Sequence, residues 1–407
     1  MPLPPRSPAH AQGKNLGVAE SSSLPLNISK DHVSFKLKGH IFLKGSRSMA
    51  VPQKILAIDI GGGTQDVLIY EEGKPMENCV QMVLPSPTRI IAQKIFQATA
   101  SRTNVFLSGN TMGGGPCFSA VEKHLRSGLK VYATKLAALT FQDNLDKVRE
   151  WGIGITNRPP KDTKEIHLGD VDLPSFRKAL RPFGVSFPSA YAVAVQDHGF
   201  NPGGSNRRFR FQYWKKFLLS GGKLSDLIYW TPPQYMTRMI AVQKDAPGAA
   251  VMDTCAAATW GALCDPEVAE RQEEGLIALN LGNQHTLGVL IQGDRVWGIF
   301  EHHTGLMTRE KLKSILNRFP KKLLSNEEIF RDGGHGCALH PEYSRKKRIP
   351  FVAVTGPRRA LVEGLGYYMA APYGNMMLAG CFGLVAALKT KLTARPQRTQ
   401  RNNRIKI

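Results

Sequence analysis

Cysteine is scarce in this sequence and too widely spaced for the common cysteine-based centres. Only six cysteines occur in 407 residues, and none belongs to a CxxC pair or a CxxxCxxC triplet. Those spacings are the usual ligand patterns for zinc and iron–sulfur clusters. An apolar leader is also lacking, because proline and polar residues occupy the N-terminus. We therefore expect reduced thiols and a cytoplasmic protein.

Acidic residues are sparse, and most of all at the two ends. The chain holds 54 Lys and Arg against 32 Asp and Glu, a formal net charge of +22. Residues 1–50 and 389–407 carry much of this excess and show no sustained hydrophobic period. They predict a disordered extension and a basic disordered tail. Met49 stands just before the first strand pattern, so residues 1–48 are a candidate upstream extension.

One segment, residues 364–388, has no charged residue and is long enough to span a bilayer. Pro372, Asn375 and four glycines interrupt it, which favours a buried helix over about 375–388 instead. No membrane association is therefore expected.

A glycine turn between two apolar strand patterns provides the first candidate site. Asp59 lies near the end of the strand over 55–60, and a second strand covers 66–70. The turn between them reads Gly61, Gly62, Gly63, Thr64. Its backbone N–H groups can cradle phosphate oxygens, and the Asp59 carboxylate can hold Mg²⁺. The alternative is an ordinary hairpin, which leaves a carboxylate in an apolar strand unexplained.

Three further segments have related patterns. Residues 279–286 form a second strand–turn–strand unit that contains Asn280, Gly282 and Asn283. Residues 352–357 predict a buried strand that ends at Thr355 and Gly356. Asp253 caps a predicted helix of very small residues. Each of these segments alone is equally compatible with core packing.

Together, and in this chain order, the four segments resemble those of the superfamily of actin, heat-shock chaperones and sugar kinases. The resemblance implies an α/β fold with two ribonuclease H-like (actin-like ATPase) domains around a nucleotide cleft, here expected over 51–245 and 246–388. It implies ATP and Mg²⁺ as cofactors, with Asp59 on the metal and Asp253 as general base or water-positioning acid. The residues expected to contact the nucleotide are Gly61, Gly62, Gly63, Thr64, Asn280, Gly282, Asn283, Thr355 and Gly356. Two departures are Asn280, where actins and chaperones usually have Asp, and Pro357, where a second glycine is usual.

Residues 54–388 also resemble a narrower family of prokaryotic proteins with this fold, sometimes labelled as pyruvate formate-lyase activating enzymes. The segments that carry the resemblance are 282–286, 301–305, 333–336 and 373–384. The label implies radical chemistry, but the cysteine triplet for its cluster is missing.

Histidines in these segments distinguish the chain from ordinary kinases. His285, His302, His303 and His335 could bind a second divalent metal or an anionic acceptor, or merely satisfy loop backbone. Adjacent His302 and His303 point opposite ways on a strand, so they cannot both be ligands of one site.

The expected function is ATP-dependent phosphotransfer to a small hydroxyl-bearing acceptor, or ATP hydrolysis that activates a partner enzyme. The alternative is a nucleic-acid or protein-binding protein with a degenerate cleft, in which the basic and aromatic residues of 201–223 form the binding strip. An amphipathic helix explains that strip more simply, so nucleic acid is not an expected partner.

Overall fold

The computed structural model describes residues 51–344 and 351–394. The predictions for residues 1–50 and for most of the basic tail lie outside the described residues. The strands are β1 (Lys54–Ile60), β2 (Thr64–Glu71), β3 (Val80–Pro85), β4 (Asn104–Gly109), β5 (Val131–Ala133), β6 (Ile153–Ile155), β7 (Thr163–Leu168), β8 (Ala190–Val195), β9 (Ile228–Tyr229), β10 (Ala250–Met252), β11 (Leu276–Leu281), β12 (His285–Gln292), β13 (Arg295–His303), β14 (Gly336–Leu339), β15 (Phe351–Thr355) and β16 (Tyr368–Met369).

The α-helices connect and cover these strands. They are α1 (Pro87–Ala100), α2 (Gly115–Arg126), α3 (Lys135–Ala138), α4 (Leu145–Glu150), α5 (Leu173–Leu180), α6 (Asn206–Leu219), α7 (Thr237–Asp245), α8 (Thr254–Ala262), α9 (Pro266–Glu270), α10 (Arg309–Arg318), α11 (Asn326–Arg331) and α12 (Ala379–Thr393).

The first sheet has the strand order β3-β2-β1-β8-β10-β9. Strands β1, β2 and β3 form an antiparallel meander, whereas β8 and β10 continue the sheet parallel to β1. The second sheet has the order β14-β13-β12-β11-β15-β16 and repeats this arrangement, with β15 parallel to β11. A three-strand meander extended by parallel strands from its first strand is the ribonuclease H-like arrangement, and the chain contains it twice. This confirms the predicted α/β fold of the actin-like ATPases.

Helices α8 and α12 pack against each other between these two sheets, and their residues join both sheets in one hydrophobic core. Gly261 and Gly383 allow the close approach, because a Cβ at either position would overlap backbone atoms of the other helix. The core also explains the uncharged segment. Residues 376–393 are long and apolar enough to span a membrane, but most of them are buried inside the protein. The predicted buried helix is therefore present, and it continues to Thr393, beyond the Leu388 boundary expected from charge.

A third sheet, with the order β6-β5-β4-β7, is entirely parallel and has its own hydrophobic core. It is inserted between β3 and β8 of the first sheet. Strands β5 and β6 have only three residues each and so give no readable period in the sequence.

Candidate functional site

A cavity of about 740 Å³ collects most of the predicted nucleotide-binding residues. Those that line it are Asp59, Gly61, Gly62, Thr64, Asn280, Gly282, Asn283 and Gly356. The two glycine turns meet there, since a Cβ at Gly62 would overlap the Gln284 side chain. The structure thus brings the segments together as the resemblance implied.

The two turns are built alike. The N–H of Gly61 donates to the carbonyl oxygen of Thr64 at 2.9 Å. In the same way, the N–H of Gly282 donates to the backbone carbonyl oxygen of His285 at 2.9 Å. In the described part of the chain, the N–H groups of Gly62 and Gly63 donate no hydrogen bond. The free donors of the first turn are therefore these two, whereas Gly61 and Gly282 use theirs to close the turns.

Two predicted contact residues do not line the cavity. Thr355 is buried, and its hydroxyl accepts a hydrogen bond of 3.0 Å from the Asn280 amide. The α-carbon of Gly63 faces the Asn283 side chain, where no Cβ would fit. Thr355 therefore acts by holding Asn280, which does line the cavity.

Two carboxylates lie side by side beneath the first turn. Asp59 of β1 is directly opposite Asp66 of β2, so their side chains share one face of the sheet. Burial, then the charges of Asp66 and Asp253, hold the pKa of Asp59 well above its usual value. Burial raises the pKa of Asp66 to about 7. Among the described residues, the buried Oδ1 atoms of both have no hydrogen-bond partner. Unpaired carboxylate oxygens of this kind fit a hard divalent cation such as Mg²⁺.

Gly380, in the first turn of α12, completes this corner of the cavity. A Cβ at this position would overlap the Asp59 carboxylate. The sequence showed Gly380 only as part of an apolar run, and nothing there indicated its proximity to Asp59.

Asp253 requires a correction. Its Oδ1 accepts the Cys255 N–H at 2.9 Å, which caps α8, and Arg210 donates to both carboxylate oxygens at 2.7 and 3.0 Å. Only 4% of Asp253 is exposed, and it does not line the cavity, although Thr254 does. A carboxylate held in this way is a structural ion-pair partner. The geometry does not support the general-base role that the resemblance implied.

Arg210 is the centre of a buried polar network. Its Nε donates to Glu301 Oε2 at 2.7 Å and its Nη1 to the Asp197 carbonyl oxygen at 2.7 Å. The other Glu301 oxygen accepts from the Gln196 amide. Burial alone would raise the pKa of Glu301, but the charge of Arg210 holds it below its usual value. The network links α6 to residues of both ribonuclease H-like sheets.

The basic and aromatic strip is helix α6. Phe211, Trp214 and Leu218 are buried, whereas Lys215 and Lys216 are exposed. This matches the amphipathic explanation. Arg210 is an exception to this explanation, because its guanidinium is buried and forms ion pairs with Asp253 and Glu301.

Asp197 is the cavity carboxylate that sequence reasoning missed. It follows β8, and its two oxygens accept single hydrogen bonds from the N–H groups of Gly199, at 2.8 Å, and Met239, at 3.0 Å. Burial raises its pKa. The cavity wall beside it includes Arg238, which pairs with Asp170 at 2.7 Å, and the Gly113–Gly115 loop before α2.

Four histidines converge at one end of the cavity: His198, His285, His303 and His335. His198 was not predicted, because it lies in a loop distant in sequence from the other three. Burial is the main cause of the lowered pKa of each, to about 4 for His285. The predicted opposition of His302 and His303 is observed: His302 Nε2 lies 3.0 Å from Asp332 Oδ2, outside the cluster.

Comparison with solved structures returns matches of low sequence identity and low TM-score. The Lmo2764 protein of Listeria monocytogenes, a proposed N-acetylmannosamine kinase, is 10% identical, with a TM-score of 0.31 over 83% of this chain and 99% of that chain. A Ppx/GppA family protein of Aquifex aeolicus is 10% identical, with a TM-score of 0.27 over 84% and 89%. A ROK family protein of Streptococcus pneumoniae is 12% identical, with a TM-score of 0.28 over 83% and 99%. No curated protein matches.

A family model described as "Putative pyruvate format-lyase activating enzyme (DUF1786)" matches residues 112–361. All six cysteines are free, and five of them are buried at separate points of the core. They form no cluster of metal ligands in the part of the chain that the structure describes. The match covers more than half of the sequence, and the chain therefore belongs to the DUF1786 family, with the fold of the actin-like ATPases.

Proposed function

We propose that the cavity binds Mg-ATP and that the protein transfers the γ-phosphoryl group to a small hydroxyl-bearing acceptor. The observation that carries this proposal is the Asp59–Asp66 pair, whose unpaired buried oxygens lie beneath a glycine turn with free N–H groups. The second turn and Gly356 line the same cavity.

Each element has a role that its chemistry suits. Asp59 and Asp66 would hold Mg²⁺, and the N–H groups of Gly62 and Gly63 would donate to phosphate oxygens. When bound, Mg²⁺ neutralises charge on the transferring phosphoryl group. Gly356 and Pro357 would border the nucleoside, since they line the cavity at the carboxyl end of β15.

Asp197 is the residue we assign to proton transfer in place of Asp253. It lines the cavity, and within residues 51–344 and 351–394 each of its oxygens accepts one backbone hydrogen bond and so has capacity for another donor. Its raised pKa also improves it as a base near neutral pH. Asp197 would accept the proton of the acceptor hydroxyl.

A second candidate is ATP hydrolysis that activates a partner enzyme, which the description of the family favours. In that function Asp197 would orient water rather than an acceptor. The two functions share one nucleotide site and differ in where the phosphoryl group goes.

The test is incubation of the full chain with γ-labelled ATP and Mg²⁺, with and without a pool of small polyols and sugars. Label in an acceptor supports the phosphotransferase, and acceptor-independent release of phosphate supports the ATPase. Asp197→Asn should lower either rate by roughly 100-fold or more while ATP still binds. The exposed Asp294→Asn is the matched control and should be unchanged. A folded wild type that binds ATP but yields neither product would contradict the proposal.

A further inference from the structure

Three of the clustered histidines have the spacing of metal ligands. One nitrogen from each of His198, His285 and His335 lies within 4.8 Å of the other two. The Nε2 atoms of His198 and His335 are 2.9 Å apart. This is the distance of a hydrogen bond between the two rings. Two nitrogens bound tetrahedrally to one ion at about 2.1 Å lie roughly 3.4 Å apart, so a small separation of the rings would admit an ion.

One buried ring nitrogen of the cluster has no protein partner in the ranges that the structure describes. His335 is 1% exposed, and its Nδ1 has no hydrogen-bond partner among the described residues. A buried unpaired ring nitrogen is costly in a cluster that serves only to satisfy loop backbone.

The charges beside the cluster are of both signs. Arg210 is paired with two buried carboxylates, Asp253 and Glu301. Arg207, which is half-buried, donates to the carbonyl oxygen of Gly334, next to His335, at 2.5 Å. The geometry of the three rings, and not the net charge beside them, indicates a metal site.

We propose that His198, His285 and His335 bind a divalent first-row transition metal, a second metal site separate from the Asp59–Asp66 pair. Three imidazoles are a typical ligand set for Zn²⁺, and they leave one position open. His198 and His285 line the cavity, so a ligand in the cavity could reach that position. An oxygen of an anionic or hydroxyl-bearing ligand is the group suited to occupy it.

The site would also join the two halves of the cavity. His198 follows β8 of the first sheet, whereas His285 begins β12 of the second and His335 precedes β14. An ion bound to all three would stabilise the native arrangement of these segments, because it binds the folded state only.

The experiment is Zn²⁺ titration of the chelator-treated full chain, with Co²⁺ absorption as an independent report of coordination by nitrogen. We expect one equivalent of Zn²⁺ bound, with affinity lowered at least about tenfold in His198→Gln and in His285→Asn. The exposed His167→Asn is the matched control and should bind as wild type. Circular dichroism establishes that each variant is folded.

Asp59→Asn separates this site from the proposed Mg²⁺ site. It should retain zinc binding even where Mg-ATP binding is lost, so the failure of one proposal does not entail failure of the other. Absence of zinc binding by the wild type, binding unaffected by the histidine variants, or binding abolished by Asp59→Asn would each overturn the inference.

Discussion

Asp59 and Asp66 face each other across the β1–β2 ladder, where neither Oδ1 has a hydrogen-bond partner in the described structure. Like charges directly opposite in an antiparallel pair repel each other. Burial adds a desolvation cost for the ionised forms. Burial and charge repulsion together raise the pKa of Asp59, and burial raises that of Asp66. The pair is therefore unfavourable for the ligand-free fold and well suited to a divalent cation.

Asp66→Asn should stabilise the ligand-free protein at pH 8. The amide keeps the shape of the side chain but removes the Asp66 charge, which burial disfavours, and we expect a gain of about 1–3 kcal/mol. Urea denaturation of the full chain measures it, with exposed Asp294→Asn as control. A lower free energy of unfolding in Asp66→Asn would show that the Asp66 carboxylate stabilises the ligand-free protein.

Mg²⁺ binding should strengthen as pH rises from 6 to 8. The pKa of Asp66 is about 7 in the fold and near 3.8 in the unfolded chain, so the native state binds the extra proton between these values. Its contribution to stability is thus present at low pH and is lost as pH rises through 7. Bound Mg²⁺ competes with that proton. The Mg²⁺-dependent rise in melting temperature should be larger at pH 8 than at pH 6 in the wild type.

The same comparison in Asp66→Asn provides the control for this pH dependence. Without the titrating carboxyl, the difference between pH 6 and pH 8 should become smaller. If the Mg²⁺-dependent rise in melting temperature changed equally between pH 6 and pH 8 in both proteins, the proton that competes with Mg²⁺ would belong to a group other than Asp66.

Arg210→Met should destabilise the protein by about 3–5 kcal/mol, because it leaves two buried carboxylates, Asp253 and Glu301, without their cation. Lys215→Met on the exposed face of the same helix should change stability by less than about 0.5 kcal/mol. Chemical denaturation compares the two. Equal effects would mean that the network contributes little to folding.

Gly383→Ala should cost about 1–3 kcal/mol, because the new Cβ would overlap the Ala257 carbonyl oxygen where α8 and α12 cross. Thr390→Ala, exposed on the same helix, is the control. Thermal unfolding of both variants gives the comparison. An unchanged Gly383→Ala would indicate that the helices can separate without loss of packing.

Local patterns predicted the two strand–turn–strand units well, because apolar strands of five or more residues bounded by glycine turns have a clear period. The strand expected over 55–60 matches β1 within one residue, and the strand expected from residue 352 to Thr355 matches β15 within one residue. Chain order then indicated which turns would meet, and Asp59, Gly282 and Gly356 do line one cavity.

The residues that were missed depend on contacts between distant segments. Asp197 and His198 lie in an irregular loop with no periodic pattern, and only the sheet order places that loop beside Asp59 and His285. The Asp253 carboxylate forms an ion pair with Arg210, which is 43 positions away in the sequence. No local pattern in α6 indicates that Arg210 is buried.

The most direct test of the central claim is a thermal-shift titration of the full chain with Mg-ATP, beside Asp59→Asn. A ligand that binds only the native state raises the free energy of unfolding by mass action, by roughly 2.7 kcal/mol at a ligand concentration of 100 times Kd. The melting temperature rises as a consequence. We expect a concentration-dependent rise in the wild type, and little or none in Asp59→Asn. A well-folded wild type with no shift at millimolar Mg-ATP, or an equal shift in both proteins, would contradict it.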